Sequence, residues 1–224
     1  DEAIRPKLIM TYWDGTDSVG HIYGTDHEKI FDQMVRQDQM LGLLFSRLTE
    51  IDAWDYVTLL LVSDHGMINV NKYISLKDVL DSIEIDYILS AGPAVAHIFI
   101  DDKAQRDEAL ELLSRQDHMI AYRRENLPAS FHMNHPTRTG DLIVTTEPPY
   151  MFNNNPKDGP KGMHGYDPDL REMHAIFGAV GAGVRNERIG PIHMTDVAPT
   201  IAKLLGIKSV NHMQGRAIDL SPKD

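Results

Sequence analysis

The chain has 224 residues and a formal net charge of −11 at pH 7, and it is 42% hydrophobic and 25% charged. These proportions are typical of a globular protein with a real core, built as one large domain or a domain with a small lobe. The negative charge argues against nucleic-acid binding through a basic surface, but a small phosphorylated substrate held by metal cations is compatible with it. The chain has no cysteine, and it has no apolar run of the ~18 residues that a membrane-spanning helix requires.

The first predicted elements alternate between strand and helix. Residues 7–13 are apolar and predict a buried strand, followed by a polar turn that carries Asp17 and His21. Apolar residues recur at helical spacing over residues 27–48 and predict an amphipathic helix. Residues 56–62 form an apolar run without alternation, which is typical of a central parallel strand covered on both faces. This order predicts an α/β fold, in which ligands collect at the carboxyl ends of the strands.

The middle of the chain has a different pattern. It predicts a strand, a helix and two further strands, at residues 94–100, 103–115, 118–123 and 141–146. We interpret residues 71–136 as a small α+β lobe inserted into the main domain, which then comprises residues 1–70 and 137–224.

The C-terminal part returns to the α/β pattern. Residues 153–162 are rich in Asn, Pro and Gly and predict a mobile surface loop. Residues 174–180 predict a strand of the main sheet. Residues 196–206 predict a helix with Asp196 as its N-cap and Gly206 at its C-terminal stop.

Two short motifs carry paired candidate ligands. Asp17 and His21 stand four residues apart, so a helical turn places both on one side, where they could bind one cation. Asp64 and His65 follow the second predicted strand after Ser63, and as neighbours they can face one centre only on an irregular turn, which Gly66 would allow. The alternatives are a capping Asp with a surface His for the first pair, and the start of a helix for the second.

A third candidate ligand, His164, follows the Asn- and Gly-rich segment and stands between Met163 and Gly165. Its alternative interpretation is an exposed loop histidine. No Ser or Thr accompanies these residues in a pattern typical of a catalytic nucleophile.

Taken together, the motifs resemble the nucleotide pyrophosphatase/phosphodiesterase family of the alkaline phosphatase superfamily. Residues 12–24 are similar to the family signature Tyr-Phe-Glu-x-Pro-Asp-x-x-Gly-His-x-Tyr-Gly, and residues 61–67 contain Ser-Asp-His-Gly-Met. Residues 164–167 read His-Gly-Tyr-Asp, as in the family. Residues 173–183 and 195–207 resemble the strand and the closing helix that follow. The resemblance implies an alkaline-phosphatase-like fold, with a central, mostly parallel sheet flanked by helices.

The resemblance also implies two zinc ions, although manganese or iron could occupy such sites. One ion would be held by Asp17, His21 and His164. The other would be held by Asp64 and His65, together with an Asp and a nucleophilic Thr that the family carries upstream. We find no counterpart of these two residues, so the second site is incomplete and the catalytic nucleophile is unknown.

Tyr12 would stack on a nucleobase or leaving group in such a protein. Trp13, Asp14 and Thr16 depart from the family pattern, which leaves the metal ligands intact and the substrate class open. The chain starts with Asp1 and without a signal peptide, and we expect it to be the C-terminal part of a catalytic domain, inactive without its N-terminal segment. Secreted, periplasmic or membrane-anchored proteins are common in the family, but the sequence itself predicts no location.

The predicted function is therefore metal-dependent hydrolysis of a phosphodiester or pyrophosphate bond in a small phosphoester or nucleotide. A phosphonate hydrolase or a phosphomonoesterase of the same superfamily is one alternative, because these enzymes use a similar set of ligands. The other alternative is a non-catalytic binding module, whose Asp and His residues hold a structural metal or none.

Overall fold

The computed structural model describes residues 4–155, 159–208 and 212–222. The described helices and strands are, in chain order, α1 (Gly15–Tyr23), α2 (Glu28–Glu50), β1 (Thr58–Val62), β2 (Ile68–Asn69), β3 (Lys72–Ile74), α3 (Leu76–Leu80), β4 (Ile88–Ala91), β5 (Val95–Phe99), α4 (Lys103–Ser114), β6 (Met119–Arg123), β7 (Leu142–Thr146), β8 (Tyr150–Phe152), β9 (Gly162–Met163), β10 (Phe177–Gly181) and α5 (Val197–Leu204).

The chain forms two compact units. The first unit comprises Asp1–Asp14, Met34–Asp64 and Ala175–Asp224, and the second comprises Gly15–Gln33 and His65–His174. The boundaries predicted from the sequence, with a lobe at residues 71–136, differ from this grouping. That lobe stays a prediction.

The larger sheet of the second unit is antiparallel, with the strand order β4-β5-β7-β6. Alternation along β5 buries Ala96 and Ile98 on one face, as a strand with one covered face requires. Ala96 and Ile98 belong to an apolar core, to which helices α3 and α4 contribute the buried residues Leu76, Leu80, Ala109 and Leu113. The structure confirms the predicted helix and the three predicted strands of this region.

Shorter strand pairs connect this sheet to the region of the ligand motifs within the second unit. Strand β3 pairs with β8 in parallel, and β2 pairs with β9 in antiparallel orientation. Helix α1 packs on β9. A second apolar cluster includes residues of β8 and β9 and comprises Val70, Ala94, Met151, Met163, Tyr166 and Met173.

In the first unit, β1 and β10 form an antiparallel ribbon, in which Leu60 opposes Ala179. The prediction of a parallel strand covered on both faces is wrong for the described residues, because β1 pairs there with β10 alone and Leu61 and Val62 are 36% and 43% exposed. An apolar run shows that a strand suits burial, but the orientation and number of its neighbours depend on distant residues.

Two further predictions concern residues 7–13 of this unit and helix α2, whose residues from Met34 onward belong to it. Residues 7–13 lie in the described part but form no regular element, and Ile9 and Tyr12 are 74% and 77% exposed, so the predicted buried strand is wrong. A strand needs a partner for its backbone hydrogen bonds, and no described strand pairs with this segment. The amphipathic helix is confirmed as α2, although none of its residues, all of which the structure describes, is buried.

The C-terminal helix is confirmed as α5, and it ends before Gly206, whose φ of +66° suits glycine. Asp196 precedes the helix, but its carboxylate does not cap it. The carboxylate accepts hydrogen bonds from the backbone N–H groups of His193 and Arg216 instead. Of the predicted loop at residues 153–162, residues 156–158 lie outside the described residues. Its mobility stays a prediction.

Candidate metal centre

Helix α1 places the first two candidate ligands on one face. Asp17 lies in its first turn and His21 in its last, so the i,i+4 spacing predicted from the sequence is realised in a helix. The His21 Nε2 atom lies 3.4 Å from Asp17 Oδ2. The acidic residue at the N-terminal end also suits the helix dipole.

His164 directly follows β9, the strand that packs on α1, and approaches the same carboxylate. Its Nε2 atom lies 3.5 Å from Asp17 Oδ1. Gly165, the next residue, has a φ of +85°, which glycine adopts without strain. The candidate ligand atoms of Asp17, His21 and His164 all lie within 4.8 Å of one another, and the three residues are half-buried.

The hydrogen bonds of this cluster fit a bound cation. His21 Nδ1 lies 2.8 Å from the Gly162 carbonyl oxygen, which can only accept, so Nδ1 carries the proton. The other ring nitrogen, Nε2, faces the Asp17 carboxylate, which is itself an acceptor. This arrangement is favourable when a positive charge lies between the nitrogen and the carboxylate, either a proton or a metal ion.

The Asp17 carboxylate also lacks a hydrogen-bond donor. Its Oδ1 atom is buried, and no described residue donates a hydrogen bond to it. A buried carboxylate oxygen without a donor is costly, and a metal ion would remove that cost. A carboxylate and two imidazoles are the oxygen and nitrogen ligands that zinc accepts, and three protein ligands leave one position open in a tetrahedral site.

His65 lies directly beside this cluster. Its ring stacks on that of His164, with the centroids 3.6 Å apart and the planes 15° from parallel. His65 Nδ1 lies 2.9 Å from the Gly66 carbonyl oxygen, so this nitrogen carries the proton and Nε2 is the atom that could bind a metal.

Gly66 is required here for a reason that the sequence did not predict. We expected Gly66 to permit an unusual backbone turn, but its φ angle is not in the left-handed region that favours glycine. A Cβ atom at this position would instead collide with the carbonyl oxygen of Glu172. The Gly66 N–H also donates to the Met173 carbonyl oxygen at 3.0 Å, so close backbone packing explains the glycine.

Asp64 and Tyr12, the other two predicted site residues, belong to the first unit. Asp64 is exposed and lies two residues after the last residue of β1, Val62. Tyr12 is 77% exposed in a segment without regular structure. Their assignment to a second metal ion and to the substrate stays a prediction.

Two contributors to the centre were missed by sequence reasoning. The Gly162 carbonyl oxygen sets the tautomer of His21, and no sequence signal could reveal it, since every residue has a carbonyl group. Tyr166 follows His164 by two residues and donates a 2.7 Å hydrogen bond to the Tyr150 carbonyl oxygen. Burial raises the pKa of this phenol, which therefore keeps its proton and anchors the segment after His164.

None of the helices in the part of the chain that the structure describes is both long and apolar enough to cross a membrane.

Comparison with known proteins matches this chain to one family. The family model described as type I phosphodiesterase / nucleotide pyrophosphatase matches residues 1–167. A bis(5'-adenosyl)-triphosphatase from Xenopus laevis is 29% identical over 205 residues, which cover 90% of this chain and 45% of that protein. The human ectonucleotide pyrophosphatase/phosphodiesterase family member 5 is 30% identical over 211 residues, or 92% of this chain and 44% of that protein.

Solved structures agree with these sequence matches. The human family member 5 has a TM-score of 0.79 at 29% identity, covering 88% of this chain and 53% of that chain. An inactive variant of the murine protein in complex with AMP has the same TM-score and covers 89% of this chain. These likenesses confirm the alkaline-phosphatase-like α/β fold. The chain spans about half the length of the curated relatives that it matches.

Proposed function

The chain belongs to the type I phosphodiesterase / nucleotide pyrophosphatase family, and we propose that it supplies metal ligands of a centre that hydrolyses phosphodiester or pyrophosphate bonds. One observation carries the proposal: one ligand atom each from Asp17, His21 and His164 lie within 4.8 Å of one another. The hydrogen bond from His21 to the Gly162 carbonyl oxygen supports it, because metal-bound histidines commonly donate their other ring proton in this way.

Charge explains why this chain needs a cation for phosphate chemistry. The net charge of −11 and the Asp17 carboxylate itself both repel an anionic phosphoryl group. A bound divalent cation would supply Lewis-acid polarisation of a phosphoryl oxygen. The chain's own contribution is to hold three ligand atoms in place, keep the His21 proton on Nδ1 and exclude part of the solvent.

We assign two zinc ions to the complete centre, with manganese or iron as the alternative metals. Asp17, His21 and His164 would hold the first ion. His65 is assigned to the second ion, since its ring stacks on that of His164 and its Nδ1 atom faces the Gly66 carbonyl oxygen, which leaves Nε2 as the ligand atom. Asp64 is assigned to the same ion on the sequence motif alone.

The proposed substrate is a small nucleotide-type phosphoester. One similar protein is named a bis(5'-adenosyl)-triphosphatase, and a similar structure contains AMP. Tyr12 is proposed to stack on the base or leaving group, as its aromatic ring and 77% exposure would allow. The nucleophile is proposed to be the Thr that the family carries upstream of these motifs, so the 224 residues alone should bind metal without turnover.

The test measures metal content and hydrolysis on the same preparations. After zinc loading and desalting, mass spectrometry should find bound zinc in the 224-residue chain and less in its D17N variant. With bis-p-nitrophenyl phosphate, the chain alone should be inactive, whereas the polypeptide encoded by the full reading frame should hydrolyse this diester faster than p-nitrophenyl phosphate or a phosphonate ester.

Each alternative has its own outcome. Zinc-dependent hydrolysis by the 224 residues alone would refute the assignment of the nucleophile. Faster hydrolysis of the monoester or the phosphonate by the full polypeptide would identify a phosphomonoesterase or a phosphonate hydrolase. An absence of bound zinc, with stability unchanged by a chelator, would refute the metal centre and identify a non-catalytic module.

A further inference from the structure

The contact between α1 and β9 depends on two glycines and one methionine of the second unit. A Cβ atom built on Gly20 would overlap the Met67 sulfur. A Cβ atom built on Gly162 would lie 3.0 Å from the same sulfur and 2.5 Å from the Gly20 carbonyl oxygen. The thioether therefore fills the space that two absent side chains leave, and both Gly20 and Gly162 are buried.

This contact joins the segments that carry the ligands. Gly20 directly precedes His21, and Gly162 precedes His164 by two residues. The two segments also exchange hydrogen bonds: the Lys161 N–H donates to the His21 carbonyl oxygen at 2.7 Å, and His21 Nδ1 donates to the Gly162 carbonyl oxygen at 2.8 Å. The distance between α1 and β9 thus sets the orientation of the His21 ring.

We propose that Met67 is a positioning residue of the metal centre, whose thioether holds α1 against β9 so that His21 and His164 can bind one cation. The inference rests on the proposed function, and it assigns a role to the last residue of the Ser-Asp-His-Gly-Met motif. Methionine suits the position because its unbranched chain and polarisable sulfur adapt to an irregular gap between two backbones. Deletion of the thioether would leave space into which α1 can shift, and the hydrogen bond to Gly162 would lengthen.

The first measurement is zinc affinity, by competition with a chromogenic chelator, for the 224-residue chain and its variants. M67A should bind zinc about tenfold to a hundredfold more weakly, the range for residues that orient metal ligands. M67L, which keeps most of the volume, should stay closer to wild type than M67A. The matched control is M151A, because Met151 is 5% exposed in an apolar cluster of the same unit but contributes none of the three atoms nearest to a Cβ built on Gly20 or on Gly162. It should lower thermal stability and leave zinc affinity unchanged.

A double variant tests the packing argument itself. G20A should weaken zinc binding, because the added methyl group would overlap the Met67 sulfur. Combining it with M67A should restore part of the affinity, since the smaller side chain frees that space. If the losses of zinc-binding free energy in G20A and M67A simply add in the double variant, the two residues do not share a contact and the packing argument is contradicted.

The second measurement does not need metal. Nitrogen-15 NMR on the metal-free chain, at a pH where the imidazoles are neutral, should show the His21 proton on Nδ1 in wild type and in M151A. In M67A, part of the population should carry it on Nε2. Unchanged zinc affinity and an unchanged tautomer in M67A would overturn the inference, as would an equal loss of affinity in M151A. A wild-type chain that binds no zinc would overturn the proposed function instead, and the tautomer of M67A would still decide whether Met67 holds His21 against Gly162.

Discussion

Replacing Asp17 by Asn should remove most of the stabilisation of the fold by zinc. Without metal, the variant should be as stable as the wild type or slightly more stable. The carboxylate lies 3.4 and 3.5 Å from the Nε2 atoms of His21 and His164, and its Oδ1 atom accepts no hydrogen bond from the described residues. Asn keeps the shape of the side chain but removes the negative charge that attracts a cation. Its amide can also donate a hydrogen bond to an imidazole lone pair, which the carboxylate cannot do.

The size of the effect follows from the number of ligands. Structural zinc sites with four ligands bind with about 10–16 kcal/mol, or about 2.5–4 kcal/mol per ligand. Since Asn can still offer an oxygen, the lower end applies, and the dissociation constant should rise about a hundredfold. At a zinc concentration of about 100 times the wild-type dissociation constant, the stabilisation should fall from about 2.7 to about 0.4 kcal/mol. For a chain of this length, the zinc-induced rise in Tm should fall from about 5–11 °C to about 1–2 °C.

The assay is thermal unfolding with EDTA and with zinc, for wild type, D17N and a control. D32N is the control, because Asp32 also belongs to the second unit but is 66% exposed and pairs only weakly with Lys29. The D32N variant should show the same zinc-induced rise in Tm as the wild type. In EDTA, the Tm of D17N should equal or exceed that of wild type. A D17N variant that loses as much Tm in EDTA as in zinc would show that Asp17 is structural and refute the reasoning.

Three further predictions concern the fold and its dependence on pH. The L142A variant should lose about 2–5 kcal/mol of unfolding free energy in urea titrations, because Leu142 is fully buried between β5 and β6, and its zinc affinity should stay at the wild-type value. The D102A variant should lose about 0.5–2 kcal/mol, because Asp102 caps α4 through a 2.9 Å hydrogen bond from the Gln105 N–H; D102N, which can still cap, should lose less. Hydrogen bonds from the Arg216 and His193 N–H groups hold the pKa of the Asp196 carboxyl below its ordinary 3.8, so its contribution to stability is present above that pH and is lost as the pH falls through the folded-state pKa. The gap in Tm between wild type and D196N should therefore close in acid, and a gap independent of pH would contradict this explanation.

Local patterns in the sequence predicted most of the elements and the ligand types. The helical spacing of apolar residues in α2, the alternation in β5 and the Gly206 stop of α5 each reflect interactions between residues close in sequence. The i,i+4 spacing of Asp17 and His21 likewise needed only one helical turn. The family was recognisable for a related reason, since the Asp, His and Gly motifs are short and contiguous.

Tertiary structure decided what depends on residues far apart in the chain. The apolar run at β1 could not reveal that its described partner would be the antiparallel β10, and residues 7–13 could not reveal that they form no strand in the described structure. Gly66 and Gly162 are needed because other backbones approach them, which their local sequence does not show.

For the centre itself, the sequence determined which side chains could bind a metal, and the fold determined how three of them meet. His164 reaches Asp17 across more than half of the chain, and a carbonyl group at residue 162 sets which nitrogen of His21 faces the carboxylate. Ligand chemistry belongs to the residue type and can be read along the chain. Convergence and tautomer depend on backbone packing between distant segments, which only the folded chain contains.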